Sequence, residues 1–223
     1  MHIRDLIQFL GELSENNNRA WFVMNKPRYD ILRAEFLELV TRLIADIARF
    51  DPEVAACNPK KALFRINRDI RFSHDKSPYK TRFSAAITAS GLKKPSQGGG
   101  PAYYFQIDDA GTLLIAGGEY MPPPDRLRAI RQQVMEDAAG FGKMLKNKKL
   151  KDAFGDLQDE GKLTRPPKGF DADAPHIEYI KMKSFIVWKE TSLKKKIPAD
   201  LRKELVAEFR NAYALVSWLR QVK

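Results

Sequence analysis

The chain is 223 residues long, 43% hydrophobic and 30% charged, a balance that excludes a disordered or fibrous protein and suits one globular domain. Lysine and arginine number 39 against 28 aspartate and glutamate, a formal net charge of +11, which points toward an anionic partner. The single cysteine, Cys57, excludes an internal disulfide, and no secretion signal or apolar run near about 20 residues is present, so a cytoplasmic protein with no membrane partner is expected.

Ile3, Leu6, Ile7, Leu10 and Leu13 recur at three- and four-residue spacings, which predicts an amphipathic helix ending at the turn-forming run Asn16, Asn17 and Asn18. Trp21 and Phe22 open a second element and are expected to cap the core. Pro27 suits a first helical turn, and the stripe Tyr29, Leu32, Phe36, Leu39, Val40, Leu43, Ile47 and Phe50 predicts a long helix closed by Asp51 and Pro52. From Leu63 the period falls to two, with Phe64 and Ile66 expected to face the helices and Arg65 and Asn67 to face away. A second strand is expected over 82–88, a flexible Gly- and Pro-rich loop over 91–101, and a hairpin from 103–107 and 112–116. Gly117 and Gly118 read either as a close backbone approach to a ligand or as a turn needing positive φ.

After Pro122, Pro123 and Pro124 a helix carries Leu127, Ile130 and Val134, and a further helical piece holds Met144, Leu145, Leu150 and Phe154. Residues 156–175 read as a surface excursion, 185–188 as a strand and 199–222 as a closing helix. The expected architecture is α+β: a mostly antiparallel sheet of four or more strands with flanking helices, the N- and C-terminal helices packed on one face. One domain spans 1–223, with a helical part over 1–57, a sheet with a basic loop over 58–121, and helices with a late strand over 122–223.

Charge is unevenly spread. Residues 58–100 hold ten lysines and arginines against two aspartates, and 181–223 hold eleven against four acids. The run Lys194, Lys195 and Lys196 reads as a solvated surface. The stretch 64–81 is different, because Arg65, Arg68, Arg71, Lys76 and Lys80 are interleaved with Phe72, Pro78 and Tyr79. A guanidinium fork holds pairs of phosphate or carboxylate oxygens, and an ammonium acts as a point charge. Several of each in one loop describe an anion site. Tyr79 or Tyr104 is expected to stack on a base, and Arg65, Asn67, Tyr104 and Gln106, sharing a sheet face with Ser84 and Ala86, to form a polar floor. Glu119 and Tyr120 would close one edge. The competing reading is an internal network in which Asp69 and Asp75 pair with Arg68, Arg71 or Lys76. Two acids cannot neutralise five bases, so even then a surplus calls for an external anion.

The run Arg65 to Thr81, the pair Asn16-Asn17 with Arg19, Trp21 and Phe22, the Tyr104 strand and the Gly118 to Pro122 turn together make the chain resemble the bacterial family called domain of unknown function 2461. The resemblance covers nearly the whole chain. It implies a single domain in which the Arg-Asp-x-Arg-Phe-Ser-x-Asp-Lys-x-Pro-Tyr-Lys run matters, and it implies no reaction.

Other chemistries fall away. His2, His74, His176 and Cys57 stand at no metal-ligand spacing, so neither metal nor cofactor is expected. No phosphate loop ends in Gly-Lys-Ser or Gly-Lys-Thr, and no Gly-x-Ser-x-Gly elbow is present. Two functions from different classes are left, beside a protein-interaction domain that shows the loop to an acidic partner. The first is an anion- or phosphate-binding module, nucleic acid being its simplest partner, that uses Arg65, Arg68, Arg71, Lys76, Tyr79, Lys80, Tyr104 and Gln106. The second is an enzyme acting on a phosphorylated or carboxylated small molecule, with Asp69, Asp75 or Glu119 transferring the proton. Clustered cations lower the pKa of neighbouring acids, so a general acid here needs burial to compensate.

Overall fold

A computed structural model describes residues 1–89 and 100–222. Most of the predicted loop over 91–101 therefore lies outside the described residues. Helix α1 (Ile3–Glu15) buries Leu6, Leu10 and Leu13 of the expected stripe, together with Phe9, and leaves Ile3 and Ile7 partly buried. Helix α2 (Arg19–Met24) starts where the Asn18 side chain accepts from the Trp21 N–H, an N-cap that satisfies one orphan donor of the first turn. Helix α3 (Lys26–Ile47) has Pro27 in its first turn and buries Leu32, Phe36, Val40, Leu43, Ile44 and Ile47. A short α4 (Pro59–Ala62), capped by Asn58, leads to strands β1 (Arg82–Thr88), β2 (Ala102–Asp108) and β3 (Thr112–Glu119). Then come α5 (Pro124–Glu136), α6 (Ala138–Leu145), α7 (Lys148–Phe154), α8 (Ile177–Ile180), β4 (Phe185–Ser192) and α9 (Leu201–Arg220).

The fold is α+β, as expected, with the four strands in the order β1-β2-β3-β4 and every neighbour antiparallel. Phe83, Ala85 and Ile87, Tyr103, Phe105 and Ile107, and Leu113 and Ile115 point to one face, where they join apolar residues of α1, α3 and α9 in one core. A second core joins Phe185 and Val187 to α5, α6, α7, α8 and the other flank of α9. Helix α9 lies against β3 because Gly117 has no side chain: a Cβ there would meet the Ala212 Cβ at 2.5 Å. Gly118 has φ +125°, and a Cβ on it would sit 2.3 Å from the Phe185 carbonyl. The two glycines thus serve close helix and strand packing.

The opposite face carries Ser84 and Ala86, Tyr104 and Gln106, Leu114 and Ala116, and Trp188, side by side in register, and neither core includes a residue of it. The expected strand from Leu63 is not one. Residues 63–67 make two isolated bridges, Leu63 to Ala85 and Asn67 to Tyr79, and the Phe64 N–H donates to the Ser84 carbonyl at 3.0 Å. Leu63 opposes core-facing Ala85, so Phe64, one residue on, must point to the other face. Its ring meets Tyr104 edge-on at 5.8 Å, while Leu63 and Ile66 pack toward the core, which corrects the expected placing of Phe64 toward the helices. On the far edge, the Gln158 N–H donates to the Ile186 carbonyl of β4 at 2.9 Å. Among the described residues no helix is long and apolar enough to cross a membrane.

Candidate anion-binding site

The basic run forms a hairpin-like loop at the Arg82 end of the sheet. Two backbone bonds close its base, Lys80 N–H to Ile66 O at 2.7 Å and Arg68 N–H to Pro78 O at 2.9 Å. Asn17, just past α1, clamps this base from outside: its side chain donates to the Tyr79 carbonyl at 3.0 Å and accepts from the Tyr79 N–H at 3.1 Å. A side chain thereby acts as a partner strand would.

Inside the loop the internal network is formed. Arg68 pairs with Asp75, and Arg71 grips Asp69 with two donors, Nε at 3.0 Å and Nη2 at 2.7 Å. Asp75 also accepts from the Ser77 N–H at 2.9 Å and the Ser77 hydroxyl at 2.6 Å. Lys76 Nζ donates to the Ile70 carbonyl at 3.1 Å. Three of the five cations among the expected anion ligands, Arg68, Arg71 and Lys76, are therefore engaged in shaping the loop. Tyr79 is engaged as well: it is 8% exposed and its ring stacks on Phe22 at 4.0 Å.

The surplus cations lie elsewhere. Among the described residues the side chains of Arg65, Lys80 and Arg82 form no ion pair, and Lys80 Nζ stands over the Phe64 ring at 5.5 Å. Burial, then the charges of Arg82 and Arg65, pull the Lys80 pKa down, the mark of cations crowded without a carboxylate. Arg82 was absent from the expected ligands. Its place two residues before Ser84 on the polar face is the signal that could have found it. An open hollow of about 530 Å³ lies here, lined by Asn17, Arg68, Asp75, Ser77, Lys80 and Arg82 among others. Tyr104 and Gln106 share the polar face beside Phe64, with the Tyr104 hydroxyl donating to Gln106 Oε1 at 2.7 Å, and burial raises the tyrosine pKa.

The carboxylates fit proton transfer poorly. The hydrogen bonds from Arg71 hold exposed Asp69 down to about 2, and those from Ser77 and Arg68 hold exposed Asp75 well below the usual range. Neither has the burial that a general acid would need. Glu119 stands at the far end of β3, about 20 Å away at the usual rise per residue. It is 2% exposed and receives Arg126 Nε and Nη2 at 3.2 Å, and Arg126 also donates to the Leu219 and Val222 carbonyls at 2.7 Å. The structure does not bring it to the loop. No cluster of three metal-ligating side chains occurs among the described residues. Cys57 is half-buried, and burial raises its thiol pKa.

Lys194, Lys195 and Lys196 are exposed and follow β4 where it pairs with Thr112, with Lys194 against the Gly111 turn. They stand at the same end of the sheet as Arg82, so the two basic segments of the sequence share one rim. One protein-family model, described as "Conserved hypothetical protein (DUF2461)", matches residues 5–218. No curated protein and no solved structure matches the chain.

Proposed function

The chain belongs to the conserved hypothetical protein family DUF2461, and for this member we propose an anion-binding module that receives phosphate groups at Arg65, Lys80 and Arg82, with nucleic acid as the polymeric partner. One observation carries this reading: at one sheet end Lys80 and Arg82 line a hollow, Arg65 stands close enough to act on Lys80, and none of the three is in an ion pair among the described residues. Holding like charges together costs free energy, and a phosphate placed among them recovers it. Lys194, Lys195 and Lys196 extend the positive rim across the strand ends, a span of about 14 Å for three inter-strand spacings. That width favours a polymer of phosphates over one small anion. A cytoplasmic setting accords with this partner and with the lone Cys57. The enzymatic alternative is less well supported by its three candidate carboxylates, because Asp69 and Asp75 are held ionised and Glu119 is committed to Arg126 at the other end.

The test is fluorescence anisotropy of a labelled single-stranded oligonucleotide at several salt concentrations. Arg65→Ala/Arg82→Ala is compared with Lys148→Ala/Lys149→Ala, which removes equal charge from α7 beside β4 at the opposite sheet edge. The first variant is expected to weaken binding at least tenfold and to flatten the log–log salt slope by about 1.4, at about 0.7 per lost single-strand phosphate contact. Equal weakening by both variants, or no binding by the wild type, overturns the reading.

A further inference from the structure

Phe72 is 94% exposed, the most exposed of the large hydrophobic side chains among the described residues. It stands at the tip of the basic loop, where the Ser73 N–H donates to the Ile70 carbonyl at 3.4 Å, so Arg71 and Phe72 occupy the two central positions of a tight turn. Arg71 lies over one side of the ring, with its guanidinium carbon 5.8 Å from the centroid, and Asp69 holds that guanidinium by two bonds. The ring thus has Arg71 beside it and is otherwise open to solvent.

The ion pairs of the loop take on a purpose in this light. Arg68 with Asp75, Arg71 with Asp69, and Lys76 with the Ile70 carbonyl fasten the turn from both sides. A solvated charged loop needs no such bracing, and a ring exposed in water gains nothing from being fixed there. An aromatic side chain carried at a protruding tip on a braced turn is instead a contact for which the ordering cost of the backbone has already been met. We infer that Phe72 is a stacking platform for one unpaired base of a single-stranded nucleic acid whose phosphates lie on Arg65, Lys80 and Arg82.

This inference rests on the anion-binding reading and adds to it the class of polymer. A π-face accepts any base, so the contact is sequence-tolerant, and it requires a base free of its duplex partner. An anionic membrane suits the tip less well. Ile70 is half-buried, leaving one fully exposed apolar side chain to insert, and two carboxylates stand beside it. The tip lies at most about 20 Å, six extended residues from Phe72 to Ile66, from the hairpin base that carries Lys80, so a strand of a few nucleotides reaches both.

The experiment compares a labelled 15-residue oligothymidylate, inorganic polyphosphate and vesicles of phosphatidylglycerol with phosphatidylcholine as probes of the full chain. Phe72→Ala is expected to weaken oligothymidylate binding about tenfold, with polyphosphate binding and the salt slope unchanged. Phe72→Trp is expected to retain affinity and to show fluorescence quenching by the oligonucleotide, beyond any wild-type change, that polyphosphate does not cause. Unchanged oligonucleotide affinity in Phe72→Ala, with affinity lost in Arg65→Ala/Arg82→Ala, overturns the stacking role and leaves the anion site standing. Failure of the wild type to bind oligothymidylate or polyphosphate overturns both. Loss of vesicle binding alone in Phe72→Ala assigns the ring to a lipid surface and overturns the inference.

Discussion

The two ends of the sheet use arginine in opposite ways. At the Gly118 end, Arg220 is 9% exposed and pairs with Asp51, itself 1% exposed, at 2.6 Å, while the Tyr103 hydroxyl donates to the other Asp51 oxygen at 2.7 Å. Burial first, then that bond to Asp51, holds the Tyr103 pKa far above its ordinary value. Nearby, Arg126 ties Glu119 to the carbonyls that end α9, where a cation also meets the negative pole of the helix. At the Arg82 end the pairs are more exposed, and three cations form no ion pair among the described residues. Charge at the first end joins elements distant in sequence, whereas charge at the second shapes one loop and leaves a surplus. A count of arginines and acids cannot tell these apart; burial and partner can.

The largest effect that would break this contrast is expected from Asp51→Ala. It leaves Arg220 buried with only Glu53 Oε1 at 3.7 Å as a carboxylate and is expected to cost about 3–5 kcal/mol, read as a lower denaturant midpoint with little change in slope. Asn17→Ala removes both bonds to the Tyr79 backbone and is expected to cost about 1–3 kcal/mol. It should also weaken oligonucleotide binding, because the loop base loses its clamp. If it destabilises the chain without touching binding, the loop and the site are less coupled than described.

The smallest effect sharpens the contrast by pH. Asp69 titrates at about 2 when folded against an ordinary 3.8, so its bonds to Arg71 favour the ordered loop above pH 3.8 and are lost as pH falls through about 2. Asp75 moves in the same direction. A carbon-detected NMR titration should place the Asp69 midpoint near that low value, and Arg71→Gln should return it toward 3.8.

The sequence was most readable where apolar periodicity and backbone chemistry agreed. The helices α1, α3 and α9, the strand 82–88 and the following hairpin all appear close to where the sequence pattern put them. Strand β4 runs on to Ser192 instead of stopping at Trp188, because its last four residues are polar and carry no hydrophobic alternation. Residues 63–67 show the reverse failure: alternation is present, but a single bridge to Ala85 decides which face Phe64 takes. For the site, composition revealed the basic loop but not how its charges are divided. Arg65 and Lys80 differ from Arg68 and Arg71 in whether a carboxylate stands at ion-pair distance, a fact of tertiary geometry. Tyr79 misled because an aromatic among cations looks the same in sequence whether it stacks on a base or on Phe22.

The sheet also guards its own margins. The backbone at Leu63 and Phe64 takes up bonding positions on the outer side of β1, and Gln158 does so on the outer side of β4. A row of bare N–H and C=O groups is a template on which another copy can add strands, and shortening that row on both sides removes the invitation. With a net charge of +11 repelling like molecules, this chain is built to resist edge-to-edge aggregation even while it presents an exposed phenylalanine to solvent.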